Sequence, residues 1–463
     1  MNSLIYLMNK ETSMKNYFSI SFFLVCFFTF FSAVSQNRNE SDSLNKSASI
    51  EYYQEAHDMY KDFIFKKNIH TVTLNKPEFE LSVPLINLNS DEQLKLSFDD
   101  FDGDAKNYKF SFVHCDAYWQ PSDILPYQFE KGFDEDYITD YSMSLNTIQK
   151  YTHYNLLFPT ENMKIVESGN YILKVFVEGN NNDIVLTKRF MVLDEKVSVN
   201  GQLKRPTYVE DMDYKQQIDF TINYAGYDIP NPYNDLKVII QQNGRWDNTL
   251  KDLKPRMVQN NMLVYDFQRE NVMNGGNEFR RFDIKTLRTR TERVMKIQSD
   301  NNSKFTHVYL YPDINRSVKT YLTDHDINGK YIIKSEDNIV RSSDIESEYV
   351  YVHFTLPYKN PLVDGSLYVL GALVNWDFSN QSKMVYNFNT NAYELVLYLK
   401  QGYYNYQYVF LENGKSKGDE TFIEGNHYET ENDYFIYIYH REQGTSYDKL
   451  IGVKALNSRI TQQ

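Results

Sequence analysis

The chain has 463 residues, which at roughly 150 residues per domain predicts about three domains. Aromatic residues make up 16% of it, and 18 glycines with 12 prolines are too few for a low-complexity chain, so folded domains are expected. The 49 lysines and arginines against 62 aspartates and glutamates give a net charge of -13, which disfavours binding to nucleic acids and to anionic bilayer surfaces.

The first 35 residues have the pattern of a secretory signal peptide. Lys10 and Lys15 precede the apolar run YFSISFFLVCFFTFFSAVS, and Ala33 and Ser35 are small residues at the offsets expected for cleavage. We therefore expect residues 1–35 to be removed on export. The alternative is a retained membrane anchor, which is disfavoured because the run is short for a membrane span and a polar stretch follows it.

Export would leave a single cysteine. Translation starts at Met1 or at Met14, and cleavage removes Cys26 in either case, so the mature chain keeps only Cys115 and forms no internal disulfide. No later segment is long and apolar enough to span a membrane. These features predict a protein that lies outside the cytoplasmic membrane and is stabilised by core burial.

Residues 36–69 are predicted to be a polar leader. Asp42-Ser43-Leu44 within it resembles the acceptor triplet of a bacterial O-glycosylation system, so Ser43 is a candidate site for an O-glycan. A triplet this short also occurs often by chance.

From residue 70 onward, apolar residues alternate with polar ones, which predicts half-buried antiparallel strands. The alternating sets are Phe79, Leu81, Val83 and Leu85; Leu94, Leu96 and Phe98; Tyr108, Phe110 and Phe112; and Tyr171, Leu173, Val175 and Val177. The segment LTKRFMVL (Leu186–Leu193) would close this domain. We predict one β-sandwich over residues 70–195.

Two further β-rich domains are expected. The second covers residues 196–335 and includes Asn243-Gly244, a hairpin turn signal. The third covers residues 347–443, and residues 444–463 are predicted to be a C-terminal tail. The predicted fold class is all-β, with three consecutive immunoglobulin-like β-sandwich domains.

The acidic segment FDDFDGDAKNY does not match a calcium-binding loop. Counting from Asp100, the sixth position, where such a loop needs glycine, is Ala105. We therefore interpret Asp102-Gly103 as a tight turn between two strands, with no metal site.

Other catalytic signals are lacking. No histidines have the helical spacing of a zinc protease, and no nucleophile elbow, P-loop or dinucleotide fingerprint occurs in the sequence. We expect a non-enzymatic protein with no cofactor. A hydrolase that uses two carboxylates stays as an alternative, because such a pair needs no local motif.

The stretch GALVNWDFSNQ in the third domain suggests a sugar-binding module. Trp376 lies in a loop after the strand of Leu367 and Val369, and alternating strands follow. The pattern resembles the early-set immunoglobulin-like domains that include glycogen-binding modules, whose exposed aromatics stack on sugar rings. Trp376 is thus a candidate sugar contact, and a polysaccharide-binding protein is the alternative function. The other interpretation is that Trp376 packs against the edge of the sandwich.

Longer phrases carry a more specific resemblance, which extends in order from His70 to Ser458. They are SDEQLKLSFDDFDGDAKNYKFSFVHCDAYWQPSDILP, YTHYNLLFPTENMKIVESGNYILKVF, IPNPYNDLKVIIQQNGRWDN, NGGNEFRRFDIKTLR, EGNHYETENDY and YDKLIGVKALNS. In these phrases the chain resembles the plug protein family of the type IX secretion system. The resemblance implies a periplasmic subunit that closes the periplasmic mouth of a giant outer-membrane β-barrel translocon when no substrate is passing.

The resemblance implies no catalytic residues, so the candidates concern partner contacts. Interfaces favour Trp, Tyr and Arg, which nominates aromatic and cationic residues in loops. The candidates are Tyr118, Trp119, Pro121, Arg245 and Trp246. Each of them is equally compatible with a role in the core or in a turn.

Overall fold

The computed structural model describes residues 59–299, 305–337 and 342–461. Strands dominate these residues, and the helices are single turns, which confirms the all-β prediction. None of the described helices has the length and hydropathy needed to span a bilayer. The predicted signal peptide, most of the polar leader and Ser43 lie outside the described residues.

The strands are numbered in chain order. Those before residue 195 are β1 (Phe63–Ile64), β2 (Ile69–Asn75), β3 (Leu85–Asn87), β4 (Leu94–Asp100), β5 (Tyr108–Cys115), β6 (Glu130–Gly132), β7 (Asp136–Ile138), β8 (Asp140–Met143), β9 (Thr152–Phe158), β10 (Met163–Ile165), β11 (Gly169–Val177) and β12 (Ile184–Leu193). The next are β13 (Ser198–Lys204), β14 (Lys215–Asn223), β15 (Leu236–Gln242), β16 (Met257–Gln259), β17 (Met262–Tyr265), β18 (Val272–Asn274), β19 (Arg280–Asp283), β20 (Val294–Ser299), β21 (Thr306–Leu310) and β22 (Tyr331–Ile333). The last are β23 (Tyr349–Pro357), β24 (Gly365–Leu370), β25 (Val385–Asn387), β26 (Ala392–Lys400), β27 (Gly402–Glu412), β28 (Asp433–His440) and β29 (Lys449–Asn457).

The helical turns connect strands. They are α1 (Pro126–Phe129), α2 (Pro232–Asp235), α3 (Ser343–Glu346), α4 (Thr421–Glu424), α5 (Ser458–Thr461) and a 3-10 turn (Ala372–Val374).

The first sandwich packs two antiparallel sheets around one apolar core. One sheet has the order β1-β12-β11-β5-β7, with β3 parallel to β12, and the other has the order β2-β4-β9-β8. Alternate residues of each strand point inward, so that Phe98, Phe110 and Leu173 are fully buried between the sheets. Asp102-Gly103 forms the predicted turn, in which Gly103 has a φ of 71°.

The second sandwich combines segments that are far apart in sequence. One sheet has the order β13-β14-β17-β16, with β18 beside β14, and the other has the order β15-β28-β29. Its core joins Ile218 and Leu263 to Ile436 and Ile451. Asn243 and Gly244 both have positive φ, as a tight turn requires, but β15 then pairs with β28 along its whole length.

The third sandwich lies between the two halves of the second in sequence. Its sheets have the orders β20-β21-β23-β26-β25 and β19-β27-β22, with β24 also paired to β27. Phe282, Val352, Tyr404, Tyr406 and Tyr408 are buried in its core.

This pairing crosses the predicted domain boundaries at 335 and 443. β19, β20 and β21 belong to the third sandwich rather than to the second. β29 lies within the predicted tail over 444–463, yet it pairs with β28 and buries Leu450 and Ile451 completely. Period-two alternation indicates that a segment is a strand, but it carries no information about which strand becomes its partner.

Two local predictions were also wrong. The end of the predicted leader over 36–69 contains β1, which pairs with β12. The strand predicted over Phe79 to Leu85 is mostly turns, and only β3 begins at its end. Pro77 precedes the segment and Pro84 lies within it, and proline cannot donate to a strand ladder, which explains the break.

A fourth apolar cluster joins the first sandwich to the second, and we call it the apolar joint. The outer faces of β11 and β12 pack on the outer faces of β15, β28 and β29. Its buried members are Cys115, Ala117, Trp119, Ile172, Met191, Leu193, Ile239, Tyr437, Tyr439 and Leu450. β11 and β12 are therefore apolar on both faces, which is unusual for an antiparallel sheet with one solvated side.

Candidate functional site

All three tryptophans of the chain line one cavity, which we call the junction cavity. It has a volume of about 170 Å³ and lies where the three sandwiches meet. Trp119 comes from the first sandwich, Trp246 from the second and Trp376 from the third. Two of the predicted interface residues and the predicted sugar contact are thus neighbours.

Trp119 is held by a tight turn after β5. The Asp116 carboxylate accepts hydrogen bonds from the backbone N–H groups of Tyr118 at 2.8 Å and Gln120 at 2.9 Å. Trp119 adopts a φ of 66°, a conformation that non-glycine residues rarely adopt. This conformation directs the side chain into the apolar joint, where it is only 3% exposed.

Trp246 follows the Asn243-Gly244 turn. Its indole meets that of Trp119 edge-to-face, with ring centroids 5.0 Å apart, and it stacks on Tyr437 at 5.8 Å. Such aromatic pairs contribute about 0.5–1.5 kcal/mol beyond the area they bury. The turn that the sequence predicts thus positions a contact between the first and second sandwiches.

Trp376 packs against the third sandwich rather than standing in solvent. It lies edge-to-face with Phe279 at 5.8 Å, and Gly329 leaves room for its ring, because a Cβ there would lie 2.4 Å from the indole. This geometry agrees with the interpretation that Trp376 packs at a sandwich edge. A sugar contact at this residue stays a prediction.

The remaining predicted interface residues differ in exposure. Arg245 is only 2% exposed and binds Asp247 at 2.7 Å and Glu420 at 3.3 Å. Burial opposes its charge, but these two carboxylates outweigh burial and raise the pKa of Arg245 above its usual range. Tyr118 is half-buried and donates to Asp252, whereas Pro121 is exposed.

Trp119 and Arg245 therefore act as packing and ion-pair residues within the chain. Of the two interpretations that the sequence left open for them, the core role fits their burial. Contact with a partner stays a prediction for all five of the nominated residues.

A cationic residue that the sequence analysis missed lies between two of the indoles. The Arg189 guanidinium is 4.7 Å from the Trp119 ring centroid and 5.6 Å from that of Trp246, distances typical of cation–π contacts. Its Nε and Nη2 donate to the Tyr60 carbonyl at 2.9 and 2.7 Å. Burial lowers the pKa of Arg189 to about 10.

Two lysines complete the cationic side of the cavity. Lys188 binds Asp62 at 3.3 Å, while Lys330 donates to the Leu81 carbonyl at 2.7 Å. Burial lowers the pKa of Lys330, and only partial compensation comes from Asp433. The signal that could have found this group is the pair Lys188-Arg189 in the middle of the apolar strand β12.

Metal binding and thiol chemistry find no support among the described residues. No three His, Cys, Asp or Glu side chains among them come close enough together to hold a metal ion. Cys115 is fully buried, and burial raises the pKa of its thiol to about 12, so it is held as an unreactive thiol.

The first sandwich also carries an exposed edge strand. β8 is the last strand of its sheet, and all four of its residues are exposed, with Tyr141 at 45% and Met143 at 58%. Exposed apolar side chains on an unpaired strand edge are a common docking surface for another protein.

Comparison with known proteins relates the chain to a protein family and to a solved structure. The family profile described as "Type 9 secretion system plug protein 1st domain" matches residues 69–194, which contain every strand of the first sandwich except β1. The chain is similar to the crystal structure of a hypothetical protein from Parabacteroides merdae, with 34% sequence identity and a TM-score of 0.82. That similarity covers 86% of this chain and 99% of the other. Among curated proteins, none matches.

Proposed function

Because this chain belongs to the type 9 secretion system plug protein family, we propose that it is a non-enzymatic periplasmic subunit that closes the periplasmic mouth of the outer-membrane translocon barrel. It would occupy the mouth when no substrate is passing. The match over residues 69–194 carries the proposal, because the matching profile describes the first domain of a plug protein of a secretion system.

A wide secretion barrel needs such a subunit for a physical reason. A barrel wide enough for folded cargo would leave an aqueous lumen open to small solutes. A protein body that docks reversibly closes that lumen without any covalent change. The apolar joint between the first and second sandwiches suits this role, since a seal must keep its shape against the mouth of the barrel.

We infer further that the barrel docks on β8. The strand belongs to the sandwich that the family profile covers, and its free edge can pair with a strand or loop of the partner. Tyr141 and Met143 would provide the apolar contacts. This assignment is specific enough to be tested by substitution.

The decisive experiment measures sealing in the organism that encodes the chain. Deleting the gene should increase the entry of a large hydrophilic antibiotic that an intact outer membrane excludes, and the wild-type gene should restore exclusion. A tagged copy should also recover a very large outer-membrane barrel from detergent-solubilised envelopes. Unchanged antibiotic entry after deletion, with secretion still active, would contradict the sealing role.

Matched variants locate the contact. The double substitution Tyr141→Asp and Met143→Asp should abolish recovery of the barrel while the protein stays folded, as judged by circular dichroism. Val385 and Phe388 of the third sandwich are at least as exposed, so Val385→Asp with Phe388→Asp is the control and should leave recovery unchanged. Equal loss in both pairs would remove β8 as the docking edge.

A further inference from the structure

The junction cavity has a composition that the sealing role does not use. Apolar side chains form most of its wall, and the cationic residues Lys188, Arg189 and Lys330 also line it. The acidic residues Asp62, Glu80 and Asp433 also line it, so the charges alone do not decide what it binds. The charge of the ligand that the cavity favours depends on which of these charged groups already have partners within the chain.

The cations are less well compensated than the acids. Arg189 and Lys330 donate to backbone carbonyls, and no carboxylate of the described residues lies within ion-pair distance of either side chain. Desolvated cations that lack a carboxylate partner favour an added anion, because a charged hydrogen bond is about twice as strong as a neutral one.

Two of the three acids are already engaged by groups of the chain, and the third, Glu80, is exposed to solvent. Asp62 binds Lys188 at 3.3 Å and accepts the Arg189 backbone N–H at 2.7 Å. Asp433 accepts amide N–H groups of Asn328 and Asn457, both at 2.9 Å.

The three indoles already have cationic partners within the chain, which disfavours a cationic ligand. Arg189 already lies against Trp119 and Trp246, and the Arg245 guanidinium is 5.6 Å from the Trp376 ring centroid. Each indole thus has a cation of the chain itself as its partner. A second cation would meet both an occupied ring and like charge.

The walls favour an apolar body on the ligand. Val72, Leu74, Val83, Met191 and Phe435 line the cavity together with the indoles. The buried Trp119 indole N–H also has no acceptor among the described residues, and an unpaired buried donor carries a cost of about 1–3 kcal/mol. An acceptor oxygen on a ligand could remove that cost after a small shift of the ring.

We propose that the junction cavity is a binding site for a carboxylate carried on an apolar or aromatic body, with Arg189 and Lys330 binding the carboxylate and the three indoles enclosing the body. This site goes beyond the sealing function and does not depend on it. Because its walls come from all three sandwiches, a bound ligand would stabilise their contact by mass action.

The three tryptophans make the test direct, since every indole of the chain lines the cavity. The full mature chain is titrated with 3-phenylpropionate while indole fluorescence is followed, and the neutral amide of the same acid is the matched ligand. We expect a saturable change with the acid, and binding of the amide weaker by about tenfold, the loss expected for one charged hydrogen bond.

Variants separate the charge contact from packing. Arg189→Gln and Lys330→Gln should each weaken binding of the acid by about tenfold and leave binding of the amide unchanged. Arg269→Gln and Lys296→Gln remove the same charges at exposed positions and should have no effect. If Arg189→Gln fails to fold, as judged by circular dichroism, Lys330→Gln decides the question.

A peptide that ends in phenylalanine distinguishes two sources of the ligand. Tighter binding of Ala-Ala-Phe than of 3-phenylpropionate, lost on amidation of the peptide, identifies a chain terminus. Tighter binding of the free acid identifies a small carboxylic acid, and both results support the site. No saturable response to either acid up to its solubility limit, or equal binding of acid and amide, overturns the proposal while leaving the antibiotic test of sealing unaffected.

Discussion

The first sandwich meets its two neighbours in opposite ways. Toward the second it presents the apolar joint, in which Ile172, Met191 and Leu450 are buried. Toward the third it presents a buried ionic cluster, which we call the ionic joint. There Asp99 binds Lys400 at 2.6 Å, and the two residues are 0% and 1% exposed.

The ionic joint is completed by hydrogen bonds to the same carboxylate. The Tyr349 hydroxyl donates to Asp99 at 2.6 Å, and His153 contacts it at 2.6 Å. Burial opposes the Asp99 carboxylate, but Lys400 and His153 outweigh burial and hold its pKa below the usual range. In an apolar joint, the free-energy cost of losing one contact scales with the apolar area that is lost. In an ionic joint, the loss of one partner leaves a buried charge uncompensated, so the joint depends on every partner being present.

The largest effect is expected from breaking the ionic joint on one side. Lys400→Met leaves the Asp99 carboxylate buried without its counter-ion, which should cost about 3–5 kcal/mol of unfolding free energy. Urea denaturation gives the free energy, and hydrogen exchange of β4 and β26 locates the damage. Lys296→Met is the exposed control and should change little. Recovery of most stability in the double variant Asp99→Asn with Lys400→Met is also expected, and failure to recover it would contradict the charge-based account.

The apolar joint should respond to loss of volume instead. Leu450→Ala removes a fully buried side chain and should cost about 2–5 kcal/mol. The matched control is Leu125→Ala, because Leu125 is 58% exposed and packs little. Both proteins are compared by urea denaturation at two salt concentrations. A strong salt dependence of the Leu450→Ala effect would show that this joint is not held by apolar packing.

Acid should weaken the ionic joint selectively. The pKa of Asp99 is lower in the folded chain than in the unfolded one, so its contribution is present above the unfolded pKa of about 4 and is lost as the pH falls through the folded value. Wild type should therefore lose more unfolding free energy between pH 7 and pH 3 than the variant Asp99→Asn with Lys400→Met. Parallel losses in the two proteins would contradict this prediction.

The smallest effect concerns a polar contact inside the apolar joint. The Tyr439 hydroxyl donates to Asn170 at 2.8 Å, and both residues are fully buried. Tyr439→Phe keeps the ring and removes this bond, so it should cost about 1 kcal/mol. Tyr127→Phe, at a residue that is 72% exposed, should cost nothing measurable by the same denaturation experiment.

Much of the strand content could be predicted from the sequence. Alternation identified the strands around Phe98, Phe110 and Leu173, because a half-buried strand needs apolar residues at every second position. It failed at Leu81, where the same alternation lies in turns next to prolines. The family resemblance was also available from the sequence, since long phrases in order are far more specific than any short motif.

The junction cavity illustrates what the sequence left undecided. Trp119, Trp246 and Trp376 were each visible as aromatic residues in loops, but their convergence depends on β28 and β29 returning to pair beside β15. The cationic residues of the cavity left only a weak signal, the pair Lys188-Arg189 within an apolar strand, because two such residues also resemble ordinary solvent-facing residues of a strand.

Strand periodicity and tight turns depend on residues that are neighbours in the chain, and net charge depends on composition alone. The sequence by itself therefore determined most strands, the Asp102-Gly103 and Asn243-Gly244 turns and the acidic net charge. The partners of those strands were decided only in three dimensions, because a strand buries its apolar face equally well against any complementary sheet. The contacts between the sandwiches were also decided only by the tertiary structure. Asp99 and Lys400 are distant in the chain, and the free energy of their contact exists only once folding has removed both from water.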